Sequence, residues 1–216
     1  AIGRLSSVDR LVLHRNSLRG SIPSSIGDLR NVTFLFLEDN FLTGPIPTTI
    51  GKLEQLQLLR FGNNELRGSI PSEIGRLKNV LNEFSVPRNQ MSGSVPDELY
   101  ECTELTLIEL FLNRFIGTIS TEVGNLAKLW GFHIDDNLFH GTIPTELDDL
   151  PVLNGVVVSG NDFEGNITLC NRASPLSMNP ELQADCLPEN DGGIEIMCPC
   201  CTRCCDRNGL NCQPTS

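Results

Sequence analysis

One phrase recurs through the first three-quarters of this 216-residue chain and constrains its fold more than any other feature. Each copy has an asparagine, a glycine four residues later, and then Ile or Val, which Pro follows in most copies, as in NELRGSIPSEIGRL at residues 64–77. The asparagines that mark the copies are Asn16, Asn40, Asn64, Asn89, Asn113, Asn137 and Asn161. Five of the six intervals are 24 residues and one is 25, and a fixed period of that length indicates stacked structural repeats.

Apolar residues occur eight, five and three positions before each asparagine, as Val8, Leu11 and Leu13 do before Asn16. The alternation at the last two positions predicts a short strand with one buried face, and stacked copies predict a parallel sheet. We expect each asparagine side chain to turn inward and bond backbone groups that the turn leaves unpaired, which makes a ladder with one rung per repeat. The glycine indicates a backbone position that disfavours a side chain.

The second half of each repeat predicts two smaller elements. The Ser/Thr-Ile-Pro segment is expected to form a small second strand at an edge or corner. The segment after it, such as residues 24–29, reads as a helical turn that ends at its glycine and directs its Ile and Leu inward. The one added residue falls between Leu77 and Leu81, on the outer side, where a bulge is tolerated.

The pattern L-x-x-L-x-L-x-x-N-x-L-x-G-x-I-P-x-x-I/L-G-x-L resembles the plant-type extracellular leucine-rich repeat, over residues 1–169. The resemblance implies an α/β-type repeat solenoid, an arc of about seven 24-residue turns with a parallel concave β-sheet and short helical or irregular convex turns. Ligands would then lie on the concave sheet or its flank. Ser120 and Thr168 depart from the pattern by replacing Pro, and Asp148 departs by replacing Gly.

Two domains are expected, a solenoid over residues 1–169 and a disulfide-rich C-terminal cap over 170–216. Residue 1 falls in the middle of a repeat, so we expect the natural protein to extend further toward its N-terminus, with a cap and a secretion signal. The formal net charge of -11 argues against nucleic-acid and anionic-membrane partners. The sequence has no run of eighteen apolar residues, so no transmembrane helix is predicted.

Eight of the nine cysteines follow residue 169, which indicates an oxidising, extracellular or cell-surface location. They are Cys170, Cys186, Cys198, Cys200, Cys201, Cys204, Cys205 and Cys212. Four disulfides are expected among them, with the connectivity open, and a zinc site at Cys201 and Cys204 is the alternative. This tail resembles those of secreted diatom and algal leucine-rich repeat proteins. Cys102 differs, because it falls in register with core leucines and reads as a buried, unpaired thiol.

Two N-x-S/T triplets, at Asn31 and Asn166, are candidate glycosylation sites. Catalysis is not expected. His133 beside Glu109 is the nearest approach to an acid–base pair, and a surface ion pair is the simpler interpretation. Asp135 and Asp136 offer too few oxygens for calcium, so neither a metal nor a cofactor is predicted.

The side chains between the buried strand positions are the candidate binding surface, because they vary from repeat to repeat. The candidate residues are Phe34, Phe36, Leu58, Arg60, Glu83, Leu107, Glu109, Phe111, His133 and Asp135. Phe34, Phe36 and Leu58 form one expected apolar cluster, and Leu107 and Phe111 belong to a second.

The leading hypothesis is a non-catalytic platform that binds protein or polysaccharide, for recognition, adhesion or extracellular assembly. A structural subunit of a wall or filament, built by self-association, is one alternative. An inhibitor of cell-wall-degrading hydrolases, as some similar plant proteins are, is the other.

Overall fold

Strands and short helices alternate through every repeat of the chain. A computed structural model describes residues 2–5 and 7–166, and the backbone of 181–185, 196–197, 203–205 and 213–214. Cys102 is the one cysteine whose side chain lies in that part, so the eight tail cysteines, the Asn166 side chain and Thr168 lie outside the described residues.

The first sheet has ten strands, and we call its solvent-facing side, with the turn after each strand, the concave face. Its strands are β1 Arg10–Val12, β3 Phe34–Phe36, β5 Leu58–Arg60, β7 Glu83–Ser85, β9 Leu107–Glu109, β11 Gly131–His133, β13 Gly155–Val157, β16 Glu181–Asp185, β18 Arg203–Cys205 and β19 Gln213–Pro214. Neighbours pair in parallel, except that β19 pairs antiparallel with β18.

A second sheet of seven parallel strands runs along the flank. Its strands are β2 Arg19–Ser21, β4 Phe41–Gly44, β6 Glu65–Gly68, β8 Gln90–Gly93, β10 Arg114–Gly117, β12 Leu138–Gly141 and β14 Asp162–Phe163. The short strands β15 Gly165–Asn166 and β17 Ile196–Met197 pair with each other. The sequence interpretation therefore placed the second strand too late in the repeat. In most repeats the observed strand ends at the recurring glycine or one residue past it, before the Ile-Pro pair.

The convex turns are short helices, mostly of the 3₁₀ type. They are the 3₁₀ helices Ile2–Arg4, Ser24–Asp28, Thr48–Lys52, Ser72–Leu77, Thr121–Asn125 and Thr145–Asp149, and the α-helix α1 Asp97–Tyr100. Pro precedes five of these helices as an extended N-cap residue, for example Pro47 with φ -69°. Ser120 replaces that Pro in the fifth complete repeat and caps its helix differently, by accepting a hydrogen bond from the backbone N–H of Glu122 at 3.3 Å.

Where a convex turn has a glycine, as at Gly27, Gly51, Gly75 and Gly124, the glycine lies inside the helix rather than ending it, which corrects the sequence interpretation. At Gly51, an added Cβ would lie 2.3 Å from the carbonyl oxygen of Glu73 in the next repeat. Glycine is therefore required at this position because neighbouring helices stack in backbone contact. The added residue of the long repeat gives the helix Ser72–Leu77, which has six residues.

The predicted ladder of asparagines is present, and Asn137 shows its complete geometry. Its side-chain Nδ2 donates to the carbonyl oxygens of Leu110, Ile134 and Asp135 at 3.1 Å each. Its Oδ1 accepts from the backbone N–H of Phe115 at 3.0 Å. From Asn40 onward, each rung thus bonds its own turn and the preceding repeat, and these bonds fix the register between coils.

The turn also requires a feature that the pattern did not reveal. The residue immediately before each ladder asparagine is left-handed, with φ between 51° and 56° at six non-glycine residues and 68° at Gly160. Leu112 is one of them, with φ 55° and a 37% exposed side chain. This backbone shape swings the side chain outward and makes it a rim for the concave face.

The core is a continuous stack of apolar side chains between the two sheets and the helices. Phe115, Phe139 and Phe163 form a spine in which successive ring centroids lie 6.2 Å apart. Cys102 is fully buried and unpaired, as expected from its register, and its thiol lies 3.6 Å from the carbonyl oxygen of Ile74. Burial raises the pKa of this thiol to about 12, which keeps it protonated and unreactive.

Candidate functional site

Aromatic and arginine side chains share the first part of the concave face. The rings of Phe34 and Phe36, on β3, lie parallel with centroids 5.9 Å apart. Arg10 covers Phe34 with its Cζ 4.7 Å from the ring centroid, and Arg60 covers Phe36 at 4.8 Å. Leu58 lies beside Phe34 in the sheet register. The predicted cluster is therefore brought together, but it is half-buried under guanidinium groups rather than openly exposed.

A row of polar side chains continues from these aromatics across four strands. Arg60 binds Glu83 with two hydrogen bonds, Nε to Oε1 at 2.6 Å and Nη2 to Oε2 at 2.9 Å. Ser85 donates to Glu109 Oε2 at 2.7 Å, and His133 Nδ1 lies 3.7 Å from Glu109 Oε1. We call these five residues the polar row; it fixes the side chains of β5, β7, β9 and β11 relative to one another.

Glu83 was predicted as a contact residue, but its side chain is committed to Arg60. It lies between Leu58 and Leu107 in the sheet register, and the residue is only 7% exposed. A carboxylate placed between two leucines needs a strong partner, and the guanidinium supplies two parallel bonds. The ion pair also raises the pKa of Arg60.

The order of the polar row does not match that of a nucleophilic triad. The carboxylate of Glu109 lies in the middle, so Ser85 donates to an acid and not to an imidazole. The interaction with His133, first among several causes, lowers the pKa of Glu109. A carboxylate with a lowered pKa is a poor proton acceptor, so it cannot activate the Ser85 hydroxyl effectively.

A groove of about 190 Å³ opens beside the polar row, where the strands pass into their turns. Its lining is Glu38, Asp39, Arg60, Gly62, Asn63, Ser85, Pro87, Arg88 and Phe111. Arg88 lies over the Phe111 ring, with its Cζ 5.7 Å from the centroid. Glu38 Oε2 is buried and, among the described residues, has no hydrogen-bond partner. The groove therefore combines an aromatic surface, an exposed cation and a carboxylate oxygen that lacks a donor.

The second predicted cluster lies at the far end of this groove. Phe111 is half-buried and lines it, Leu107 is half-buried on β9, and Leu112 projects from the rim. Glu38, Arg88 and Asn63 were not among the predicted contact residues, because their role depends on turn geometry. The available sequence signal was their position one or two residues before a ladder asparagine.

Asp135 lies at the C-terminal side of this surface, and burial raises its pKa to about 6. The neighbouring charge of Asp136 acts in the same direction, while His133 and Arg88 oppose it. The part of the chain that the structure describes has no group of three or more His, Cys, Asp or Glu side chains placed to hold a metal ion.

Asp135→Asn is expected to stabilise the protein at pH 7.5 by about 1 kcal/mol and to have less effect at pH 4.5. The folded pKa lies above the ordinary value, so the folded state holds this proton more tightly between about pH 4 and pH 6. The stability that the protonated Asp135 carboxyl contributes is fully present below this pH range, falls as pH rises through the range, and is lost above it. Urea unfolding at both pH values measures the effect.

The exposed Asp149→Asn is the matched control for the loss of one carboxylate. A pH-independent effect of Asp135→Asn would contradict a raised pKa at this position.

Asn31, the first glycosylation candidate, is exposed in the turn before β3. Its modification stays a prediction. Among the described residues, no helix is both long and apolar enough to cross a membrane.

The comparisons agree with the repeat architecture. The family model Leucine Rich Repeat matches residues 7–29, 31–53 and 55–77. No curated protein matches the chain significantly.

Many solved structures match the chain. The plant peptide hormone receptor RGFR1, solved in complex with RGF2, has a TM-score of 0.78 and 35% identity, with 85% of this chain and 30% of the receptor covered. The ectodomain of the Arabidopsis receptor kinase HAESA, solved with an IDA peptide hormone, has a TM-score of 0.77 and 33% identity, with 91% of this chain and 34% of that one covered. A leucine-rich repeat protein of Leptospira interrogans has a TM-score of 0.63 and 34% identity, with 75% of this chain and 40% of that one covered.

The chain thus spans about one third of the length of these plant receptors. The TM-scores show that its backbone follows the same fold as the matched parts of these receptors. The chain belongs to the leucine-rich repeat family, in its plant-type extracellular form.

Proposed function

We propose that this chain is an extracellular, non-catalytic recognition protein that binds an extended peptide segment of a protein partner in the groove of the concave face. The single observation that carries the proposal is the groove itself, in which Glu38 Oε2 lacks a donor while Arg88 and Phe111 line the same space. A buried acceptor without a partner is costly, and a ligand that supplies a donor gains binding energy there.

The dimensions favour a peptide over a compact small molecule. The groove crosses the turns that follow β3, β5, β7 and β9, and neighbouring strands are about 4.8 Å apart, which gives a length of about 14 Å. An extended chain advances about 3.3 Å per residue, so about four residues fit. Two related receptors, RGFR1 and HAESA, were solved with peptide ligands, and this supports the same class of ligand here.

The charges indicate which peptide would fit. Glu38 and Asp39 lie at the β3 end and favour a basic side chain or a free amine. Arg88 and Phe111 lie toward the β9 end and favour an acidic or aromatic group. Arg60 is held by Glu83, so it contributes its flat face over Phe36 more than a free charge.

Selection from a random-sequence peptide library displayed on phage tests the proposal. Selected peptides are expected to carry Lys or Arg and to bind with micromolar dissociation constants in calorimetry. Glu38→Gln and Phe111→Ala should each weaken binding about tenfold or more, because each removes one of the groove's two anchoring groups.

Glu101→Gln, an exposed carboxylate on the convex side, is the matched control and should leave binding unchanged. Peptides that bind the Glu38→Gln, Phe111→Ala double variant as tightly as the parent would refute the groove as the site. Failure to select any peptide, together with binding on a plant polysaccharide array, would favour a polysaccharide ligand instead.

A further inference from the structure

The groove of the concave face has two carboxylates, and they differ in how far the protein itself satisfies them. Asp39 accepts a hydrogen bond from Asn63 Nδ2 at 2.6 Å, and Arg15 Nε lies 3.5 Å from its other carboxylate oxygen. Glu38 Oε2 is buried and, among the described residues, has no hydrogen-bond partner. A buried carboxylate oxygen without a donor is costly, so a ligand gains most by supplying a donor to Glu38.

Two backbone carbonyls of the groove wall do not compete for such a donor. The oxygen of Gly62 accepts from the backbone N–H of Asp39 at 3.0 Å and from Asn64 Nδ2 at 3.2 Å. The oxygen of Pro87 likewise accepts from one backbone N–H and one ladder asparagine, at 2.9 and 3.1 Å. Each oxygen has a donor for both of its lone pairs, so these carbonyls offer little to a ligand.

Ser85 supplies the second acceptor of the groove. Its hydroxyl donates its one proton to Glu109 Oε2 at 2.7 Å. Glu109 has a lowered pKa, for which His133 is the first cause, so at neutral pH its carboxylate accepts hydrogen bonds and donates none. Ser85 also lines the groove and is 5% exposed. The hydroxyl therefore keeps only lone pairs for a ligand, in a sheltered position fixed by Glu109.

Glu38 and Ser85 come from two coils with one coil between them. Ser85 ends β7 and Glu38 follows β3 by two residues, and β5 lies between these strands. At about 4.8 Å per strand the two backbones are about 10 Å apart, which suits a donor group of some width. A single ammonium nitrogen joins acceptors only up to about 6 Å apart, at about 2.9 Å per bond, whereas a guanidinium carries five N–H donors on three nitrogens.

The arginines that line the groove do not exclude a cationic ligand. Arg60 is neutralised by its two hydrogen bonds to Glu83, and Arg88 is exposed at the rim, where salt screens its charge. Pro87 packs so closely on Gly62 that an added Cβ there would lie 2.9 Å from Pro87 Cγ, which leaves a smooth wall. A guanidinium is flat and weakly hydrated and can lie against such a wall, whereas an ammonium is compact and strongly hydrated.

We propose that Ser85 is a specificity-determining residue of the groove and that, together with Glu38, it selects an arginine side chain of the peptide over a lysine. The inference rests on the proposed function, since it concerns the same groove. Glu38 binds either basic group, and Ser85 adds an acceptor that the wider guanidinium reaches. Glu109 is a positioning residue, because it holds the hydroxyl proton of Ser85 away from the ligand.

Two blocked peptides, acetyl-Arg-Gly-Gly-Phe-amide and acetyl-Lys-Gly-Gly-Phe-amide, test the proposal in NMR titrations of the whole chain. The parent is expected to bind the arginine peptide at least about fivefold more tightly, the effect of one additional hydrogen bond. Ser85→Ala should bring the ratio of the two affinities to about one, by weakening the arginine peptide. Glu38→Gln should weaken both peptides. Glu109→Met should lower the ratio, because the Ser85 hydroxyl can then donate into the groove.

Ser92→Ala, on the second sheet, is the matched serine control and should leave both affinities unchanged. If neither peptide shifts the backbone amide signals of Gly62 and Ser85, the groove is not a peptide site and both proposals fail. Equal affinities of the parent for the two peptides, or an arginine preference that survives Ser85→Ala, would overturn the role of Ser85 and leave the groove as the site. An unchanged ratio in Glu109→Met would overturn the positioning role of Glu109.

Discussion

Asn137→Ala is expected to lower the free energy of unfolding by about 2 to 4 kcal/mol. The substitution removes the acceptor of the buried Phe115 N–H and leaves a small void at a residue that is 7% exposed. The three carbonyl oxygens lose one bond each, but each keeps a second donor, so the loss of these bonds adds less. Urea unfolding followed by circular dichroism measures the change.

Asn16→Ala is the matched control, because Asn16 occupies the same repeat position. Asn16 is exposed, and within the described residues its side chain bonds only its own turn, through the carbonyl oxygens of Leu13 and His14. Its loss should cost less than about 1 kcal/mol. Equal losses for the two variants would show that the ladder does not bond neighbouring coils in the way described.

Arg60→Met is expected to cost about 2 to 3 kcal/mol, because it leaves the Glu83 carboxylate buried without its partner. The value is below that for a fully buried pair because the Arg60 side chain is 42% exposed. Adding Glu83→Leu should recover most of the loss, since a leucine there continues the row formed by Leu58 and Leu107.

A double-mutant cycle of unfolding free energies over these four proteins measures the coupling. Ser92→Ala, a half-exposed position on the second sheet, serves as a neutral control. Additive effects of Arg60→Met and Glu83→Leu would contradict the two-bond ion pair and, with it, the polar row's role in holding the concave face.

The scaffold follows from the sequence because each of its requirements recurs at every coil. An asparagine that bonds the turn, a glycine with φ near 88° as at Gly117, and apolar residues at fixed positions are local demands repeated seven times. Cys102 could be assigned to the core for the same reason, since its register equals that of core leucines. Repetition turns a weak local preference into a clear pattern.

The concave face was harder to predict because a central contact runs diagonally between strands. Arg60 is the third residue of β5 and Glu83 is the first of β7, so alignment of equivalent positions places neither opposite the other. Arg10 and Phe34 do pair in the register, but whether the guanidinium covers the ring depends on the side-chain conformation. The left-handed residue before each asparagine had only a partial sequence signal: Gly160, Asn63, Asp39 and Asp136 are types that adopt this backbone shape readily, but Arg15, Arg88 and Leu112 are not.

The convex helices show a third kind of limit. A glycine near the end of a helical turn suggested a C-terminal stop, yet Gly51 is required by the carbonyl of Glu73 in the next coil. Only packing between repeats distinguishes the two explanations. Ser120 can replace Pro for a local reason, because its hydroxyl accepts a capping hydrogen bond from the Glu122 N–H and so compensates for the lost ring.

The central claim is that the repeated residues build the scaffold and the variable residues before each asparagine bind the partner. A crystal structure of the chain with a library-selected peptide tests this most directly. We predict that the peptide lies extended in the groove, with a basic group at Glu38 and its other end against Arg88 and Phe111. A peptide bound on the convex helices or the second sheet, with the groove empty, would contradict the account.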